Sequence, residues 1–193
     1  MQLAVSNDIP YTYGDYLNWP DEIRCELIEG VIYDMTAPSR PHQQISMELA
    51  RQIANFLRGK TCQVYAAPFD VRLPEEDEDD NDVITVVQPD IVIVCDLKKL
   101  DTRGCRGAPD FIAEILSPST AAKDQIQKTA LYEKHGVREY WAIHPEDKMI
   151  FVRLSGKNGK YGIPAIHEGK GRLSVAVLPE LEIDLDMIFG EIQ

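Results

Sequence analysis

The chain predicts an α/β fold with a mixed central β-sheet flanked by helices, and three observations lead there. Short β-branched runs at 83–87 and 91–94 read as strands. Ile45, Leu49, Ile53 and Phe56-Leu57 recur at spacings of three and four, the apolar stripe of a helix lying on a sheet. A second helix, opened by Ser117-Pro118-Ser119-Thr120, stands between two further strand-like runs. With 193 residues the chain is ample for one core and marginal for two, so a single domain over 1–193 is expected.

Taken in order, residues 13–24 read as a short helical lead-in interrupted by Pro20, and 26–35 as a hairpin around Gly30. Residues 39–41 break the pattern before the first long helix, which Gly59 ends. Residues 64–73 are strand-like, with Pro68 marking an edge or a bulge. After an acidic segment come the strands at 83–87, 91–94 and 110–116. The second helix runs to about His135, with Gly136 past its end. Residues 139–143 and 149–154 form a hairpin around 144–148, followed by a strand at 173–178 and a short terminal segment at 185–189. No internal repeat and no linker interrupts the series.

A hydrophobic content of 44% and a charged content of 27% are those of an ordinary soluble globular protein. No apolar run reaches membrane-spanning length and the first residues lack a signal-peptide pattern, so a cytoplasmic location is expected. Cys25, Cys62, Cys95 and Cys105 form no CxxC and are expected as buried reduced thiols. The net charge of −12 speaks against a nonspecific nucleic-acid coat protein. Seven of the acids lie within 75–82, and without them −5 remains. That block reads as a solvated, mobile loop, and it lacks the glycine and alternating ligands of a calcium loop.

Two carboxylates carry the chemistry. Asp90 follows Pro89 at the head of one apolar run, and Glu114 lies 24 residues later inside another. Acidic side chains on neighbouring strands can hold a hard cation such as Mg2+, which activates water against a phosphodiester. Asp90 also fits an exposed strand-start residue. Glu114 is flanked by apolar residues on both sides, where a carboxylate is costly unless it binds a cation or accepts hydrogen bonds. Asp110 competes as a ligand, but four residues along one strand place it roughly 13 Å from Glu114. Glu26 fits either a site-facing carboxylate or a strand residue near solvent, and Glu48 reads best as a solvated helix residue. Tyr140-Trp141 reads as core, and His135 and His144 lack partners at catalytic spacing. No Walker loop, nucleophile elbow or dinucleotide fingerprint is present.

Beyond these two carboxylates, several motifs occur in a fixed order. They are Glu26-Leu27-Ile28-Glu29-Gly30, Ala37-Pro38 with His42, Pro89-Asp90-Ile91-Val92-Ile93-Val94 and Pro109-Asp110. Then follow Glu114-Ile115-Leu116-Ser117-Pro118-Ser119-Thr120, Lys128 with Tyr132, and Gly136-Val137-Arg138-Glu139-Tyr140-Trp141. Together, over about 13–154, they resemble the bacterial Uma-type branch of the PD-(D/E)XK nuclease superfamily. The resemblance implies a restriction-endonuclease-like fold and a DNA endonuclease that uses Mg2+ (or Mn2+). It implies Asp90, Glu114 and the main-chain carbonyl of Ile115 as metal ligands, and a homodimer for cutting two strands. The superfamily pattern places a lysine two residues after the glutamate, where this chain has Leu116. The branch is thought to supply the ammonium from the following helix, which points to Lys128, with Lys123 and Lys134 as alternatives. Without the resemblance, Asp124 and Lys128 at i, i+4 would read as a surface pair. His42 and Gln125 become candidate substrate-binding residues, although a plain helix-start histidine is an equal reading. The alternative to an enzyme is a catalytically inactive nuclease-fold module that binds nucleic acid or protein.

Overall fold

The computed structural model describes residues 9–20, 22–117 and 121–190, with the backbone alone for 121–125. The first half comprises α1 (Tyr13–Tyr16), β1 (Cys25–Ile28), β2 (Val31–Asp34), α2 (Arg40–Leu57), β3 (Gln63–Ala66), β4 (Val71–Arg72), β5 (Val86–Val87) and β6 (Ile91–Val94). There follow β7 (Leu100–Asp101), β8 (Gly104–Arg106), β9 (Phe111–Ile115), α3 (Ala121–His135) and β10 (Glu139–His144). The last elements are β11 (Met149–Leu154), β12 (Ala165–Glu168), β13 (Arg172–Val175), β14 (Leu178–Asp184) and α4 (Leu185–Phe189).

The expected mixed α/β fold is present, and its strands form three sheets among the described residues. A main sheet runs β12-β11-β10-β9-β6-β3, a second runs β2-β1-β5-β4-β8-β7, and β13 and β14 form a separate hairpin. The main sheet is mixed, with β9 and β10 parallel and β6 antiparallel to β9. Alternation along its strands sorts its side chains onto two faces. Ile91, Ile93, Phe111, Ala113, Ile115, Trp141 and Ile143 pack with Ile45, Leu49, Ile53 and Leu57 of α2, with β13–β14 and with α4. Val92, Val94, Ile112, Tyr140 and Ala142 pack with Leu131 and Tyr132 of α3 and with Val71, Leu73, Val87 and Cys105 of the second sheet. The stripe read from the sequence is therefore the buried face of α2. Tyr140 and Trp141 are fully buried, as core residues.

Local chemistry explains several boundaries. Ser39 caps α2, with Pro41 in its first turn. Glu29 and Gly30 both have positive φ, 50° and 75°, as a two-residue turn between β1 and β2 requires. A Cβ on Gly30 would come within 2.2 Å of Pro10, so only glycine fits. The lead-in helix is limited to four residues closed by a Thr12–Asp15 capping box. The 64–73 run divides into β3 and β4, 83–87 narrows to β5, and 173–178 proves to be a hairpin, β13–β14. The cap read at 118–120 lies outside the described residues.

Two expectations are corrected. Cys25 and Cys105 are buried thiols, but Cys62 and Cys95 form a disulfide. The antiparallel register that pairs Gln63 with Val94 brings the flanking cysteines opposite one another. The acidic segment is not simply a solvated loop. Arg72 is fully buried, and such a guanidinium needs counter-charges. It donates bidentate hydrogen bonds to Asp80 at 2.7 and 2.8 Å and to Asp101 at 2.7 and 2.8 Å. Arg103 and Arg106 also approach Asp80, and Lys134 pairs with Glu75 at 2.6 Å.

Leu49 has no exposed surface and sits mid-stripe on α2. Leu49→Ala is expected to cost about 2–5 kcal/mol of stability, read as a lower urea midpoint at unchanged slope.

Candidate active site

The register pairing Ile91 with Ala113 carries Asp90 to a position opposite Glu114 on the same face of the main sheet. Asp90 stands just ahead of β6, where the strand ends, and its Oδ2 accepts the main-chain N–H of Ile115 at 2.7 Å. Its Oδ1 faces His42 Nε2 at 3.2 Å. His42 occupies the third position of α2, its N–H capped by Ser39 Oγ, and so reaches Asp90 around the strand end. Burial by itself would lower the pKa of His42. The hydrogen bond and charge of Asp90, the charge of Glu114 and a hydrogen bond to the Ile115 main chain outweigh that and raise it.

Glu114 is buried in β9, and the site is built around it. Its Oε1 accepts a hydrogen bond from Lys128 Nζ at 2.9 Å and another from the Tyr132 hydroxyl at 2.5 Å. Lys128 and Tyr132 lie one turn apart on α3 and present the same face. Lys128 Nζ also donates to Glu26 at 2.9 Å. Glu26 projects from β1, and its Oε1 additionally accepts the N–H of Gln88 at 2.8 Å. One ammonium thus bridges the two large sheets. Burial pushes the Glu114 carboxyl up to about 7, with Lys128 opposing the rise and Asp90 and Glu26 adding to it. Burial alone would lower the Lys128 pKa, but the charges of Glu114 and Glu26 raise it above the ordinary range. Lys128 is therefore an obligate cation at neutral pH.

The structure brings together Asp90, Glu114, Ile115, Lys128 and His42. The surface-pair reading of Lys128 is overturned, since it is buried and bonded to Glu26 and Glu114. Lys134 lies apart, paired with Glu75, whereas the side chains of Lys123, Asp124 and Gln125 lie outside the described residues. Asp110 is engaged by the Cys95 N–H and Arg138, and Glu48 by Arg51 and Gln52. The His144 ring lies tilted against Phe151. Glu26, left open from the sequence, faces the site. Tyr132, named with Lys128 in the family resemblance but given no role, bonds Glu114. Among the described residues, no three His, Cys, Asp or Glu side chains are already gathered at metal-binding spacing.

The family model Uma2, described as "Putative restriction endonuclease", matches residues 13–186. The chain belongs to that family. It is 28% identical over 120 residues to "Uncharacterized protein slr1290" of Synechocystis sp. (strain ATCC 27184 / PCC 6803 / Kazusa). That match spans 61% of this chain and 60% of the relative's length. A crystal structure of "a putative nuclease belonging to DUF820 from Anabaena variabilis ATCC 29413" superposes with a TM-score of 0.73. The superposition covers 93% of this chain and 98% of that one at 20% sequence identity, and it shows the shared fold.

Removing the ammonium leaves two buried carboxylates facing each other. Lys128→Met is expected to cost about 3–5 kcal/mol in chemical denaturation. Lys134→Met, whose side chain is half exposed, is expected to change stability by no more than about 0.5 kcal/mol.

Proposed function

We propose that this protein is a metal-dependent DNA endonuclease that hydrolyses phosphodiester bonds, with Asp90 and Glu114 as its acidic pair and Lys128 as its ammonium. The observation that carries the reading is Asp90 set opposite Glu114 with Lys128 bonded to the latter. Charge supports a cation there: Glu114 and Glu26 share one lysine, and the charge of Asp90 bears on Glu114 as well. Buried negative charge left in excess is costly, and a dication would balance it. Asp90, Glu114 and the Ile115 carbonyl would hold it, with Glu114 exchanging part of its bonding to Lys128 for the ion. Mg2+ or Mn2+ would polarise the scissile phosphate and lower the pKa of a bound water.

The chain's own residues do the rest. Lys128, charged and held on both sides, serves as a donor to the developing phosphorane charge and not as a base. The Ile115 N–H fixes the Asp90 carboxylate, and Tyr132 orients Glu114. Gln125, on the same helix as Lys128, is the proposed further contact to substrate. Cutting both strands calls for two copies of such a site, so we place the activity in a homodimer acting in the cytoplasm.

With supercoiled plasmid and Mg2+ or Mn2+, the wild-type protein is expected to nick and linearise. Asp90→Ala and Glu114→Gln are each expected to lower that rate by at least about 100-fold while keeping the folded circular-dichroism signature. Unchanged cleavage in both variants would remove the site assignment. If the wild type neither cleaves nor binds either ion, the inactive binding module becomes the better reading.

A further inference from the structure

We propose that His42 is a ligand of the same cation and that the resulting nitrogen-containing donor set favours Mn2+ over Mg2+; the inference rests on the nuclease reading above. His42 Nε2 lies 3.2 Å from Asp90 Oδ1, and the His42 ring also interacts with the Ile115 main chain. The imidazole thus meets two of the three groups assigned to the ion. Donors at adjacent corners of an octahedron with bonds near 2.1 Å lie about 3.0 Å apart. The observed spacing is therefore the edge of a coordination shell as much as a hydrogen bond.

The ring is held in place. Its side chain is largely buried, and its residue sits in the first turn of α2 behind Pro41 with Ser39 capping its N–H. Nδ1 is buried without a partner among the described residues, so Nε2 is the nitrogen presented to the site. A direct phosphate contact fits the surroundings poorly. Nε2 faces the Asp90 carboxylate, which would repel an anion brought to the same point. Imidazole nitrogen suits Mn2+ and its transition-metal neighbours, whereas Mg2+ takes oxygen ligands. A single histidine among oxygen donors shifts preference without excluding Mg2+.

The test uses tag-free, full-length protein, with Mn2+ titrated by calorimetry beside Mg2+ and the Mn2+ complex measured by pulsed electron paramagnetic resonance. The expected signature is hyperfine coupling to one directly bonded 14N in the wild type. It should vanish in His42→Asn and persist in His167→Asn, a histidine on β12 outside the site. His42→Asn should weaken Mn2+ on the order of tenfold or more and Mg2+ by less, collapsing the ratio between them. Mn2+ bound with no 14N coupling, or a coupling that survives in a folded His42→Asn, overturns the ligand assignment alone. If Asp90→Ala leaves Mn2+ binding unchanged, or neither ion binds, the metal site itself falls and this inference falls with it.

Discussion

The ammonium of Lys128, held between Glu26 and Glu114, is the interaction on which the rest of the site depends. It joins β1 of the second sheet, distant in sequence, to β9 of the main sheet and to α3, the helix that follows it. Taking these charges out of water is expensive, and they repay it only while all three remain in register. Tyr132 and the Gln88 N–H satisfy further lone pairs on the two carboxylates, which makes the cluster a closed network on that side. On the other side stands Asp90, oriented by a main-chain N–H and by His42. Asp90 and Glu114 thus stand on one face of the main sheet, with Lys128 bonded to Glu114 and His42 beside Asp90.

Legibility in the sequence followed the periodicities. Asp90 and Glu114 could be read because strand parity and apolar neighbours make a carboxylate conspicuous, and antiparallel register then sets them opposite one another. The α2 stripe was legible for the same reason. Glu26 was not, because all four residues of β1 are buried and the alternation that would have assigned it a face is absent. Lys128 looked like half of an i, i+4 surface pair, since nothing in a short helical sequence states which side meets the sheet. Only the family resemblance favoured it. Strands of two or three residues, such as β7 and β8, carry too little pattern to be seen. The Cys62–Cys95 bond needed a strand register that spacing alone does not supply.

The acidic segment shows how far a charge count can mislead. Its seven acids dominate the net charge, yet Asp80 neutralises buried Arg72 and draws in Arg103 and Arg106, while Glu75 meets Lys134. Arg72 could not stay buried without such partners. The segment is thus part of how the second sheet is held together. The arginines it engages are not open cations awaiting phosphate. Any attraction for a nucleic-acid backbone has to come from other basic residues or from the proposed ion.

Leu116 at the position where the superfamily pattern has lysine is best understood through this geometry. Residues two apart along an extended chain share a face, so a lysine at 116 would have stood beside Glu114 just past the end of β9. Leu116 instead is buried in the same apolar cluster as Leu131, Tyr132 and Val137. Bringing the ammonium from α3 returns that position to the core, at the cost of a longer chain of dependence. A lysine at 116 would be placed by the strand before it. Lys128 is placed by α3 packing on the main sheet and by Glu26 arriving from the second one. The proposed chemistry is consequently coupled to the docking of the two sheets, and a residue as far in sequence as Glu26 belongs to the same unit as the lysine.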